Sequence, residues 1–81
     1  MPYIQKEKRV KYEDIAFPPI PDKGELEYVV YRIMQHYMSD KEFRYATLHD
    51  CVYAVIHCAH EFERRNLDKR EDKAMEENGD I

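Results

Sequence analysis

Glycine and cysteine are scarce in this sequence, tryptophan is absent, and no long apolar run occurs. The two glycines, Gly24 and Gly79, are isolated, which excludes a Gly-rich loop that cradles phosphate. The two cysteines, Cys51 and Cys58, stand about 10 Å apart on one helix, too far to bridge each other. They read as reduced thiols on or beside a core face, which suits a reducing compartment. No stretch approaches the ~20 apolar residues of a membrane span. The first 16 residues carry charge throughout, with no apolar segment of the kind found in a secretory signal. A cytoplasmic protein with no membrane partner is therefore expected. Positive charge is also in deficit. The 13 Lys and Arg stand against 17 Asp and Glu, a formal net charge of −4, which argues against broad nucleic-acid binding, since that runs on phosphate neutralisation. Lys6, Lys8, Arg9 and Lys11 form a short basic cluster, and a solvated helix face explains it equally well.

What is present fits one small globular domain. Of the 81 residues, 43% are apolar and 37% charged. At this size a lone core seldom supplies more than ~3–5 kcal/mol, so help from disulfides, metals or oligomerisation is a common need.

Periodicity organises the chain. Residues 1–4 read as a tether or brief extended segment, and residues 5–15 as a short, charged helix with Val10, Ile15 and Tyr12 turned inward. Pro18, Pro19 and Pro21 make 16–23 a loop, with Phe17 and Ile20 expected to pack down as a clasp over the helices that follow. In 24–38, Leu26, Val29, Val30, Ile33, Met34 and Tyr37 form one stripe at the helical period, with Asp22 as N-cap. Residues 39–46 connect, with Phe43 and Tyr45 as anchors. Thr47 is expected to open a second helix striped by Leu48, Cys51, Val52, Val55, Ile56, Ala59 and Phe62, with Asp50 completing a box-like cap. Residues 63–77 are almost all charged and either extend that helix or form another, ending at Asn78-Gly79. The expected fold is all-α: a small helical domain built on an αα-hairpin (24–66), with an N-terminal arm, short helix and Pro-rich loop (1–23) and a charged C-terminal segment (67–81).

Met1-Pro2-Tyr3-Ile4, Gly24-Glu25-Leu26 with Tyr28-Val29, Glu61-Phe62 with Arg64-Arg65, and Glu71-Asp72-Lys73 with Glu77-Asn78-Gly79-Asp80 carry a resemblance across nearly the whole chain. The sequence resembles a family of short uncharacterised proteins of bacteriophage genomes and phage-rich metagenomes. The resemblance implies a phage-encoded protein of the host cytoplasm and no particular chemistry. Tyr53 stands where the family tends to carry glycine, Ile56 where it tends to carry glutamate, and Lys69 where proline is frequent.

Each candidate site in the sequence has a plainer role beside it. His57, His60 and Glu61 lie within one turn, a spacing that can serve a metal, but on the wheel they point to solvent and flank, and no second Cys/His cluster completes a ligand set. Cys58 lacks a base beside it, because His57 and His60 diverge around the helix. Small helical nucleotide pyrophosphohydrolases hold magnesium with Glu-x-x-Glu and Glu-x-x-Asp pairs on facing helices. Glu25 with Glu27 and Glu61 with Glu63 are two apart, and Glu77 with Asp80 straddles the helix stop. Arg64, Arg65, Lys69, Arg70 and Lys73 are offset by interleaved acids and read as a solvated face. No catalytic residue, metal ligand or cofactor is therefore expected.

One surface stands out. Tyr31, Met34 and Met38 flank the first strong helix, and His49, Tyr53 and His60 flank the second. Tyr and Met are typical of interaction surfaces, and the chain has seven tyrosines. The expected function is non-catalytic: a small phage-type accessory protein that binds a second copy of itself, a dimer being favoured, or a host protein. The alternative is a small-ligand or nucleotide-binding protein whose site forms between subunits from Tyr31, His49, Tyr53 and His60.

Overall fold

The computed structural model describes residues 3–81; Met1 and Pro2 of the expected tether lie outside the described residues. The protein is all-α. Helix α1 spans Lys6–Glu13, α2 Lys23–Met38, α3 Tyr45–Phe62 and α4 Asp68–Asn78, and a π-helical turn, Glu63–Leu67, joins α3 to α4. Among the described residues there is no strand.

The ends of α2 follow from local chemistry. Asp22 is extended, and its carboxylate accepts from the Glu25 amide at 2.8 Å, satisfying one of the free donors of the first turn. At the other end the Ser39 hydroxyl donates to the His36 carbonyl at 2.6 Å, and Lys41 Nζ donates to the Tyr37 carbonyl at 2.9 Å. The same ammonium lies 3.8 Å from the centroid of the Tyr37 ring, a cation–π contact.

Helix α3 begins two residues before the expected start. Arg44, extended at φ −121° and ψ 162°, is the N-cap. Thr47 lies one turn inside, and its hydroxyl works backwards, accepting from the Arg44 amide at 3.2 Å and donating to the Glu42 carbonyl at 2.5 Å. A hydroxyl takes the part that Glu or Gln usually plays in a capping box. Asp50 has no share in it.

The charged C-terminal stretch continues α3. The Asp68 amide bonds to the Glu63 carbonyl, five residues back, and the Asn66 side chain donates to the Phe62 carbonyl at 3.1 Å. A π turn keeps residues five apart on one face, so Leu67 follows Phe62, and Ala74 and Met75 extend that line along α4. Tyr45 to Asn78 thus form one rod of roughly 50 Å at 1.5 Å per residue, the 51 Å long dimension of the molecule. The rod stops at Gly79, whose amide bonds to the Met75 carbonyl at 2.8 Å and whose φ of 86° suits glycine alone.

Helix α2 packs antiparallel on the first half of the rod. Val29, Val30, Met34 and Met38 on α2 and Thr47, Leu48, Val55 and Ile56 on α3 are half-buried. Among the described residues only Cys51, 6% exposed, is buried. Its Sγ lies 3.8 Å from the Met34 carbonyl. The rest of the two stripes is open: Leu26, Ile33, Tyr37, Val52 and Phe62 are exposed, Phe62 at 70%.

The N-terminal segment does not close this core. Helix α1 packs against no other helix, and Val10, Tyr12 and Ile15 are exposed rather than turned inward. The expected clasp also stays out: Phe17 is 57% exposed and Ile20 36%. Three prolines hold this segment extended, and residues 16–21 form no backbone hydrogen bond that would draw it back. The molecule is consequently open. Its radius of gyration is 16.5 Å, against about 12 Å for a compact chain of this length.

Candidate functional site

The antiparallel hairpin leaves an apolar groove at its closed end. Tyr31, Met34, Gln35 and Met38 line it from α2, Leu48, Cys51 and Val52 from α3, and Phe43 from the connection, around a cavity of about 270 Å³. Helical spacing explains the α2 wall, since positions 31, 34, 35 and 38 share one face. The 39–44 connection carries Phe43 over the mouth, where its ring is 82% exposed. Met supplies an adaptable lining and the aromatic rings a rigid one.

A second feature runs along the outside of α3. Tyr45, His49, Tyr53 and His57 recur every fourth residue. Their rings follow one another at centroid separations of 5.6, 4.2 and 6.3 Å, with His49 stacked on Tyr53. Four-residue spacing puts successive side chains one above another.

A third cluster pins the N-terminal arm to the rod. The Tyr3 hydroxyl donates to the Glu61 carboxylate and accepts from Arg65 at 2.8 Å. Glu61 also accepts from Arg64, and from Arg65 Nε at 2.7 Å. The Arg64 guanidinium first, then the Tyr3 hydroxyl and Arg65, hold the Glu61 carboxyl well below its ordinary value, at about 2. Both guanidiniums are raised in return by the bond to Glu61. The cluster borders a shallow recess of about 220 Å³ that includes Cys58 and Phe62.

The six residues expected to form an interaction surface divide between these features. Tyr31, Met34 and Met38 meet in the groove. His49 and Tyr53 stack in the ladder. His60 is exposed and belongs to neither; His57, four residues beyond Tyr53, continues the ladder in its place. Sequence reasoning missed Gln35, although it lies one residue beyond Met34 on the same face. It noted Phe43 as an anchor without placing it at the groove. Nothing local to Tyr3 announces a partner in Glu61. Cys51 and Cys58 are both free thiols. Among the described residues no group of three or more His, Cys, Asp or Glu is placed to hold a metal ion, and no helix is long and apolar enough to cross a membrane.

These features define a small helical hairpin with an extended arm and an uncovered apolar groove. The chain belongs to the DUF6899 family, a domain of unknown function, whose model matches residues 1–81. No curated protein and no solved structure matches it.

Proposed function

We propose that this chain is a phage-type accessory protein of the host cytoplasm that acts by binding, without catalysis, and that its primary partner is a second copy of itself. The observation that carries this reading is the surface it leaves uncovered. The accessible area is 7779 Å², whereas a compact chain of 9.9 kDa exposes about 5,200 Å². The excess, roughly 2,500 Å², is about three times the ~800 Å² that each partner contributes to a standard interface. An eight-residue helix that packs on no other helix, α1, points the same way, because isolated helices below ~12–15 residues are marginal in water. The phage character rests on the terminal motifs of the sequence, the binding role on the open apolar groove.

Light scattering across a hundredfold range of concentration tests the reading. A mass of two chains, falling toward one chain on dilution, is the expected result. A single-chain mass throughout would overturn self-association and turn attention to a host protein. A thermal shift of several degrees with a nucleotide or metal ion would instead favour a small-ligand site.

A further inference from the structure

The groove and the proline segment lie at opposite ends of the same hairpin. The groove is built where α2 ends and α3 begins, from Met34, Met38, Phe43 and Leu48. Phe17–Pro21 enters the hairpin at the start of α2. The 16 residues of α2 separate the two ends by roughly 24 Å at 1.5 Å per residue. Each end carries half of an interaction. The groove is an apolar, aromatic-lined trough. The segment is an extended strip whose Phe17 and Ile20 are exposed and whose backbone groups are unpaired within the chain.

We propose that the Phe17–Pro21 segment of each copy occupies the groove of a second copy, in a reciprocal two-fold dimer. This assignment rests on the self-association proposed above and names the surface that carries it. A two-fold axis across the hairpin reverses its direction, so it sets the open end of one copy beside the closed end of the other. The same operation does so twice, filling both grooves with one kind of contact, as an isologous interface requires.

The chemistry of the two parts matches. Proline-rich extended chain docks in troughs lined by aromatic side chains, and its rigidity reduces the entropy lost on docking. Tyr31 and Phe43 provide the aromatic walls, Met34 and Met38 the adaptable floor. A cavity of about 270 Å³ has room for one aromatic and one branched aliphatic side chain, those of Phe17 and Ile20. Gln35 sits in the wall with an amide able to meet a carbonyl of the extended segment, whose backbone has no partners within its own chain. The excess exposed area exceeds what a stable dimer needs, so docking both segments, together with the hairpin surface between them, is within the area the chain has to cover.

The test uses a 1:1 mixture of full-length chains, one labelled with ¹³C in its methionine methyl groups and deuterated at its phenylalanine rings, the other unlabelled, so that a methyl-to-phenylalanine NOE can arise only between chains. Isotope-filtered NOEs from the Met34 and Met38 methyl groups to the Phe17 ring of the unlabelled chain are expected. Light scattering on the Phe17→Ser, Ile20→Ser double variant should show the dimer dissociation constant raised at least about tenfold, the least expected from exposing two apolar side chains. Both changes fall in a loop outside the hairpin, and an unchanged far-ultraviolet circular dichroism spectrum confirms that they leave the helices intact. A wild-type dimer that lacks these NOEs overturns the groove assignment and leaves self-association standing. A wild-type monomer at millimolar concentration overturns both.

Discussion

The Tyr3 hydroxyl donates to the carboxylate of Glu61, 58 residues away in sequence, and this contact ties the start of the described chain to the middle of the long helix. Arg64 and Arg65 close on the same carboxylate, so the arm is held through charge-assisted bonds rather than through apolar packing. Because the arm leads into α1 and the proline segment, this cluster decides where both of them start.

Acid should release the arm late. Glu61 is depressed from 4.5 to about 2, first by Arg64 and then by Tyr3 and Arg65. A carboxyl whose folded value lies below its unfolded one binds fewer protons when folded, so its contribution is fully present above the ordinary range. That contribution declines as pH falls from about 4.5 and is gone below about 2. A ¹³C titration of the Glu61 carboxyl should give a midpoint near 2 in the wild type and a higher one in Tyr3→Phe. Equal midpoints in the two proteins would remove Tyr3 from the cluster.

Truncating the floor of the groove should cost less than truncating a closed core. Met34 is half-buried, and its carbonyl lies against the one enclosed thiol. Met34→Ala should therefore lose about 1–2 kcal/mol, below the 2–5 kcal/mol of a fully buried methionine. Urea unfolding at a protein concentration below the dimer dissociation constant, where the groove is uncovered, measures it. A loss above about 4 kcal/mol there would mean that Met34 is fully enclosed within the single chain.

Two caps should contribute comparably despite unlike chemistry. Asp22→Ala removes the acceptor for the Glu25 amide, and Thr47→Ala removes one of two acceptors of the Arg44 amide, the other being the Glu42 carbonyl at 2.9 Å, together with the hydroxyl's own bond to that carbonyl. Each should cost about 1 kcal/mol, the usual worth of an N-terminal cap. Thr47→Val keeps the shape but not the hydroxyl, so thermal unfolding should place it with Thr47→Ala. Retention of wild-type stability in Thr47→Val would show that packing, not the hydrogen bond, is what Thr47 supplies.

The hairpin was legible because its signal is local and repeated. Val29, Val30 and Met34 on α2 and Leu48, Val55 and Ile56 on α3 recur at helical spacing and are half-buried, and Asp22 caps where a short acid before a periodic run should. The start of α3 was misplaced by two residues because Thr47 can bond forwards or backwards, and only the extended backbone at Arg44 decides which. The clasp was expected because Phe17 and Ile20 are apolar. Apolar character states that a residue needs cover, and it does not state which chain supplies the cover. For the same reason Tyr31, Met34 and Met38 were recognisable as a surface, whereas the Tyr3–Glu61 contact, set by the path of the whole arm, was not.

Helix α1 should depend on concentration in a way the hairpin does not. It is eight residues long, packs on no other helix, and exposes Val10 and Tyr12. Alone, such a segment gains too few hydrogen bonds to offset the ordering of its first turn. The α2–α3 hairpin has facing stripes and two capped starts, so it retains structure in a single chain. If a second copy covers the arm, hydrogen exchange at the α1 amides should slow as protein concentration rises through the dimer dissociation constant, because binding stabilises the state that binds. Exchange at α2 and α3 amides facing the half-buried Val30 and Val55 should change far less. Protection of α1 that is high and constant down to nanomolar concentration would mean that the helix is held within one chain, through the Tyr3 cluster or the Arg9 bond to the Ile4 carbonyl at 2.9 Å.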